Sequence, residues 1–358
     1  MRIVLLSYLH GFGGAEKQSI MLANAMAERG HDITLIAICA ANMCYDLNDK
    51  VKFIFLPDQR TNVLRIVYRY FDIKKKLEEI RPDVTINFWF QSAYMTALMN
   101  KSITGKVIYS ERGDPGDKEY SGMLGLIRKM TMPRIDGFVF QTNSAKEYFD
   151  KKIQSRSVII PNPVFVGRED YPEIKKRRKV IVTVGRLHPQ KNQKLLIDSF
   201  ALIADRIPDY SLEIYGEGEL KDALKKHIEE LGLTERVFLK GTNSRILSFI
   251  CDATLFVLSS DYEGQPNTLL EAMALGIPCI TTDWRPGGAK EILGTDIDDV
   301  IVPPGDQKRL ADCIMTKLNN YDKALELAKL IKRSMISNEP SRVYDAWGTY
   351  LNDVCERK

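Results

Sequence analysis

The feature that most constrains this chain is an alternation that runs along it twice: short apolar runs of strand length, each followed by a segment at helical spacing. In the first half Ile3 to Leu6, Ile33 to Ile38, Val51 to Leu56, Val84 to Asn87, Val107 to Ser110 and Phe138 to Gln141 read as strands. Helical stretches run from the Gly11 to Gly14 loop to Arg29 and from Val63 to Ile80. Strands that alternate with helices imply a parallel, doubly wound sheet. The pattern breaks at Ile160-Pro161-Asn162-Pro163, passes the charged run Lys175-Lys176-Arg177-Arg178-Lys179 and resumes at Val180 to Val184. It then repeats with strands at Ser211 to Tyr215, Val237 to Leu239 and Leu255 to Leu258, and helices at Gln193 to Ile207, Leu220 to Leu231 and Thr268 to Leu275. A chain of 358 residues also exceeds a typical single core. The expected class is therefore α/β, with two Rossmann-like domains at 1–163 and 164–340. Val343, Trp347, Tyr350, Leu351 and Val354 mark a closing amphipathic helix in 341–358.

Composition removes several classes of protein. Hydrophobic residues at 44% and charged residues at 27% suit a globular chain and exclude disordered and fibrous ones. No apolar run approaches the roughly 18 residues that span a bilayer, and the opening Met1 to Leu6 reads as the first strand, not a leader. The six cysteines have neither disulfide density nor zinc spacing, which fits a reducing cytoplasm. The net charge of +4 is modest, and no nucleic-acid motif accompanies it. Residues 1–165 hold 23 of the 51 lysines and arginines but only 17 of the 47 acids, so the first half is the basic one.

The most specific pattern is Asp261-Tyr262-Glu263-Gly264-Gln265-Pro266-Asn267-Thr268-Leu269-Leu270-Glu271-Ala272-Met273-Ala274. Asn267 is expected to cap a helix whose free N–H groups at Thr268, Leu269 and Leu270 form an anion site aided by the helix dipole. Glu271 falls in the expected first turn, where an acid also suits the dipole, and Glu263 sits on the loop before it. Arg186 and Lys191 lie just past a strand end, where ligands of open α/β sheets bind and a cation pair can neutralise a leaving diphosphate. Gly13 and Gly14 allow backbone to approach a phosphate at a helix start, although glycines also serve simple turns. Gly216-Glu217-Gly218 follows a strand, and Gly287-Gly288 precedes a helical segment. Gly11-Phe12-Gly13-Gly14 is not the G-x-G-x-x-G fingerprint, which argues against a nicotinamide dehydrogenase.

The Glu263 to Glu271 segment resembles the glutamate, seven residues, glutamate signature of glycosyltransferase family 4. Nearly the whole chain shares the resemblance, through Gly13-Gly14-Ala15-Glu16, Val184-Gly185-Arg186-Leu187 to Lys191-Asn192, Ile214-Tyr215-Gly216-Glu217-Gly218 and Pro286-Gly287-Gly288-Ala289-Lys290-Glu291-Ile292. It implies the GT-B fold, two Rossmann-like domains facing across a cleft, with the first taking the acceptor, the second the donor, and the closing helix returning to the first. It further implies that Glu263 contacts the donor sugar, Glu271 the nucleotide ribose, and Arg186 and Lys191 the diphosphate. Gly216 and Gly218 fall near the base, and Gly287 and Gly288 near the sugar or its phosphates, while Asn267, Thr268 and Leu269 line the donor site. The implied chemistry is retaining transfer of a hexose or N-acetylhexosamine from a nucleotide sugar, by the family's habit a UDP-sugar. The acceptor would be a glycan or polyprenyl-linked saccharide in bacterial surface-polysaccharide assembly.

One position departs from the family. Many members carry a histidine after the strand that here reads Val107-Ile108-Tyr109-Ser110-Glu111-Arg112, and Arg112 appears in its place. As a fixed cation it holds acceptor or phosphate, or pairs with Asp114; both readings stay open. No metal site is expected: His10, His31, His188 and His227 are scattered, and Asp296-Ile297-Asp298-Asp299 reads as a solvated turn. Cations and helix dipole would then do the work of a metal, with no cofactor. Arg60 to Arg81 mixes Arg65, Arg69 and Lys74 to Lys76 with an apolar face, which suits either a sheet-covering helix or contact with an anionic membrane. The expected location is cytoplasmic, with peripheral contact at the inner face of the plasma membrane. Two other functions share these features: a GT-B nucleotide-sugar epimerase, and a non-catalytic nucleotide-sugar binder or membrane-surface partner.

Overall fold

The computed structural model describes residues 1–11, 13–58, 64–165, 174, 176–243, 245–294 and 299–357. Phe12, residues 60–63 of the expected basic helix, Lys175 and the acidic run 296–298 lie outside the described residues. The chain divides into two units, Met1–Asn162 with Pro340–Lys358, and Pro163–Glu339.

The first unit runs β1 (Arg2–Leu9), α1 (Gly14–Glu28), β2 (Asp32–Ala41), β3 (Lys52–Leu56), α2 (Arg65–Ile80), β4 (Val84–Asn87), α3 (Phe90–Ala97), α4 (Lys101–Thr104), β5 (Lys106–Ser110), α5 (Gly122–Thr131), β6 (Gly137–Phe140), α6 (Asn143–Glu147), α7 (Lys151–Gln154) and β7 (Ser157–Ile159). Its seven strands are ordered β3-β2-β1-β4-β5-β6-β7, all parallel. Because both faces are covered by crossover helices, successive residues of one strand enter different cores. Ile3 and Leu5 join Ile33, Ile86 and Val139 on one face, while Val4 and Leu6 join Ile36, Val107 and Phe138 on the other. This two-sided burial is why the strands read as unbroken apolar runs.

The second unit runs β8 (Arg178–Val184), α8 (Gln193–Ala201), β9 (Ser211–Tyr215), α9 (Lys221–Glu230), β10 (Val237–Gly241), α10 (Ile246–Ile250), β11 (Ala253–Leu258), α11 (Asn267–Ala274), β12 (Cys279–Thr282), α12 (Gly288–Leu293), β13 (Ile301–Val302), α13 (Gln307–Asn319) and α14 (Tyr321–Ser334). Its parallel sheet is ordered β10-β9-β8-β11-β12-β13. Ile181, Leu212 and Leu255 enter one core with α8 and α13, and Val182, Phe256 and Leu258 enter the other with α11.

The final helix, α15 (Pro340–Glu356), belongs to the first unit. Val343, Trp347, Tyr350, Leu351 and Val354 pack into the same core as Ile3 and Leu5. The Tyr350 hydroxyl accepts from the Phe138 amide at 2.8 Å and donates to the Arg156 carbonyl at 2.5 Å. Arg29 of the α1 end reaches Asp345 at 2.7 Å, which fixes the helix at its other end.

In each sheet the strand order reverses once, between β1 and β4 and between β8 and β11. Loops leaving the carboxyl ends of such a pair diverge to opposite faces and open a crevice, the usual place for a ligand in open α/β sheets.

Candidate active site

At the reversal point of the second sheet, the loop after β8 carries Arg186 and Lys191, and the loop after β11 carries Glu263. The topology thus brings together groups more than seventy residues apart in sequence, and the local bonding locks them. Lys191 Nζ pairs directly with Glu263 Oε1. The same oxygen accepts from Ser260 Oγ at 2.7 Å, and Gln190 Nε2 approaches the other at 3.4 Å. Gln190 also ties the loops through its side chain to the Tyr262 carbonyl at 2.9 Å and its own carbonyl to the Asp261 amide at 2.9 Å. Asn192 caps α8 and donates to Asp261 Oδ1 at 2.9 Å. The loop after β12 joins them, since the Glu263 amide donates to the Arg285 carbonyl at 3.1 Å. Glu263 is only 6% exposed, so it is no solvated loop acid. A carboxylate this buried is compensated by its cation together with the hydrogen bonds of Ser260 and Gln190.

Arg186 differs from Lys191. It is exposed, and among the described residues its guanidinium makes no ion pair, although its carbonyl accepts from Gln193 Nε2 at 2.9 Å. Of the cation pair expected from sequence, one member, Lys191, is already paired with an acid. Their field is felt by His188, whose pKa is lowered from the usual histidine value by burial first and then by Arg186 and Lys191, opposed by Glu219 at 3.8 Å.

The Gly216-Glu217-Gly218 turn buttresses this loop. Gly216 and Gly218 have φ of 143° and 159°, and a Cβ on either would run into the carbonyls of Gly185 and Leu187. The Leu187 amide donates to the Glu217 carbonyl at 2.9 Å, which holds the two loops side by side. Close backbone packing is thus reason enough for these two glycines.

Helix α11 corrects three expectations. Pro266, not Asn267, occupies the cap position, and Asn267 is already helical. The helix therefore starts one residue early, which moves Glu271 out of the first turn, where no acid is found. The Leu270 amide donates to the Pro266 carbonyl at 3.2 Å, so only the amides before it remain for an anion, with Thr268 and Leu269 free of protein acceptors among the described residues. The Leu269 side chain is fully buried in the core and contributes only its backbone. Glu271 is 8% exposed, on the buried side of the helix. Gly287 caps α12 and Gly288 begins it, beside Trp284, which is fully buried.

The candidates of the first unit behave differently. Gly13 caps α1 at the carboxyl end of β1, as the glycine pattern implies. A Cβ there would run into the Glu16 carboxylate, so the helix start carries an acid of its own, not an open anion seat. Arg112 lies after β5 and turns inward. Its Nη1 donates to Asn162 Oδ1 at 2.7 Å, and its guanidinium stacks 4.9 Å over Phe88 and 6.0 Å from Trp347 of α15. Burial lowers its pKa to about 9, opposed by Tyr344 and Glu111, so it stays charged at neutral pH. Asn162 ends the first unit, so Arg112 ties down the chain where that unit finishes.

Sequence reading gave no role to Glu111 and did not single out Arg128. Glu111 is 3% exposed and accepts from Tyr109 Oη at 2.8 Å, Arg128 Nη2 at 3.2 Å, and the amides of Arg112 and Gly113 at 3.1 Å. Arg128 also lies 4.1 Å over the Tyr120 ring and 4.8 Å over Phe149. Gln190 and Ser260 were missed too, since each sits in an unpatterned stretch. No cluster of three potential metal ligands occurs among the described residues. Asp299 pairs with Lys317 at 2.6 Å.

With this geometry in hand, the comparisons with known proteins agree across both units. Residues 12–168 match the family model described as Glycosyltransferase Family 4, and residues 169–334 the one described as Glycosyl transferases group 1. An uncharacterized glycosyltransferase of Methanocaldococcus jannaschii is 31% identical over 278 residues, 70% of this chain and 68% of that one. The N-acetylgalactosamine-N,N'-diacetylbacillosaminyl-diphospho-undecaprenol 4-alpha-N-acetylgalactosaminyltransferase of Campylobacter jejuni is 25% identical over 80% of this chain and 72% of its own. Among solved structures, Anabaena HepE in complex with UDP superposes with a TM-score of 0.79 at 17% identity, covering 99% of this chain and 100% of that one. The likeness to HepE is one of fold, two Rossmann-like domains of GT-B type.

Proposed function

The chain belongs to the group 1, family 4 glycosyltransferases, and from that premise we propose that it moves a hexose or N-acetylhexosamine from a UDP-sugar, with retention of configuration, to a glycan or lipid-linked saccharide in surface-polysaccharide assembly. The observation that carries this reading is the junction of Lys191 and Glu263 at the β8/β11 reversal point, with the exposed Arg186 on the same loop as Lys191. The relatives support the substrate classes: the Campylobacter enzyme acts on a diphospho-undecaprenol saccharide, and HepE binds UDP.

Transfer from a nucleotide sugar leaves negative charge on the departing diphosphate, so catalysis chiefly needs positive groups fixed where that charge develops. Arg186, with no competing acid, meets the diphosphate first. Lys191 then exchanges Glu263 for a phosphate oxygen. The exchange frees Glu263, still held by Ser260, to accept hydrogen bonds from the donor sugar. The first-turn amides of α11 add dipole stabilisation, and Glu271 takes the ribose. These groups supply the charge a metal would otherwise supply, so the reaction is proposed to need none. The first unit takes the acceptor, with the work done on the cytoplasmic side of the membrane. No described helix is long and apolar enough to cross a bilayer.

A thermal-shift titration with UDP, GDP, ADP and their sugar conjugates, without added metal, tests the nucleotide class, since a ligand of the folded state raises its stability by mass action. Stabilisation by the UDP series that is lost in Arg186→Ala is expected. Anomeric configuration is then read by NMR of the product. Donor conversion without acceptor would instead mark an epimerase, and no shift with any nucleotide would overturn the reading.

A further inference from the structure

Two helices of the first unit are apolar on the wrong side. Helix α5 turns Leu124, Ile127, Arg128 and Thr131 inward, at helical spacing. Three of its outward residues are apolar as well: Met123 is 80% exposed, Leu126 59% and Met130 67%. Helix α2 buries Ile73 and Leu77, yet its first two turns expose Val67, Tyr68 and Phe71, with Leu64 just before them, again at helical spacing. Both helices are crossovers that pack on the same core of the sheet, so their outer stripes belong to one layer. A surface helix of a globular protein normally presents polar residues outward, and exposed apolar stripes mark a contact surface.

The charges around the stripes name the contact. From Ser121 to Ile135 there is no acid, while Lys129 and Arg134 are exposed. From Leu64 to Phe71 there is again no acid, and Arg65 is exposed. Of the three acids farther along α2, Glu78 and Glu79 are paired with Lys74 and Lys76, and Asp72 is half-buried where the stripe ends. Arg69 is not part of this surface, since Asp58 holds it at 3.0 Å. Apolar side chains flanked by the exposed Arg65, Lys129 and Arg134, on two separate helices, suit a fluid anionic interface better than a shaped protein partner.

We propose that α5, together with the first turns of α2, docks the protein on an anionic lipid surface, with Met123, Leu126 and Met130 entering the headgroup boundary. The proposal deepens the reading of a lipid-linked acceptor by naming the surface that would meet the membrane carrying it. Arg128 gives the contact a route inward, because its guanidinium joins α5 to Glu111 at the end of β5.

Flotation of the full chain with phosphatidylcholine vesicles, with and without phosphatidylglycerol, tests it directly. The wild type is expected to float with the anionic vesicles and to release at high salt. Changing Met123, Leu126 and Met130 together to Glu is expected to lower the bound fraction at least tenfold, while the UDP thermal shift and transfer to a water-soluble acceptor stay at the wild-type level. A variant with Val67→Glu and Phe71→Glu is expected to lose binding less steeply. A wild type that stays in solution, or an α5 variant that floats undiminished, overturns the proposal. So does concentration-dependent dimerisation abolished by the α5 changes without vesicle binding, which would assign the face to a second copy. Flotation without any sugar transfer would leave docking standing and sink the transferase chemistry instead.

Discussion

The two units share a fold but use the carboxyl ends of their sheets in opposite ways. In the second, the reversal point gathers an exposed arginine, and a lysine paired with a buried acid. In the first, the equivalent helix start carries Glu16, and Arg112 is committed to Asn162 and two aromatic rings. A parallel sheet offers a crevice wherever its strand order reverses, and in the second unit that crevice holds an exposed arginine with no ion pair among the described residues. The proposed phosphate chemistry is therefore assigned to the second unit. The first unit's distinctive surface is instead the apolar outside of α2 and α5.

The sharpest way to break this contrast is Lys191→Met. It leaves Glu263 buried without its cation and the diphosphate without its second positive group, so sugar transfer should fall on the order of a hundredfold or more. Initial-rate measurement on a variant whose circular dichroism matches the wild type checks it, and near-normal turnover would place the chemistry elsewhere. Arg186→Ala should weaken UDP binding about tenfold to a hundredfold, the worth of one or two hydrogen bonds to a charged group.

Arg112→Met probes the other side of the comparison. Losing the Asn162 bond and the ring contacts should lower unfolding stability by about 1–3 kcal/mol in denaturant titration, with UDP affinity unchanged. An equal loss of UDP affinity would erase the distinction between the units. Gly216→Ala should be comparably destabilising, about 1–3 kcal/mol, because its Cβ meets the Gly185 carbonyl at a φ that favours glycine. It should also weaken nucleotide binding by displacing the Arg186 loop.

The smallest effect is a protonic one. The folded-state pKa of His188 is lowered, so its neutral ring contributes stability above the usual histidine value of 6.5, and that contribution is lost as pH falls through the lowered value. A bound diphosphate would offset Arg186 and Lys191 and raise that pKa. UDP binding should therefore take up part of a proton just below pH 6.5, visible as a buffer-dependent heat in calorimetry and absent in His188→Ala.

The alternation of strands and helices was legible because two-sided burial makes each parallel strand a plain apolar run. What was short or charged at its edges was not: β7 spans three residues after a lysine- and arginine-rich turn, and β13 only two. Helix α5 escaped notice because its inward and outward faces are both apolar, which erases the periodicity that reveals a helix. Within the site, the residue types at Arg186, Lys191 and Glu263 were readable, but not that Lys191 and Glu263 are partners, since only the β8–β11 pairing brings them together. The cap at Asn267 was misplaced because asparagine is a common cap, whereas Pro266 takes that position here. The inward turn of Arg112 depends on Asn162 and Trp347, which no local pattern connects to it.

In the proposed reaction Glu263 and the donor diphosphate compete for Lys191. Calorimetric titration of UDP into wild type and Glu263→Gln tests it most directly. If Lys191 is held in check by the carboxylate, the glutamine variant binds UDP several-fold more tightly while its sugar transfer is largely lost. If UDP binds the variant equally or more weakly, Lys191 is not the diphosphate's cation and the exchange does not occur.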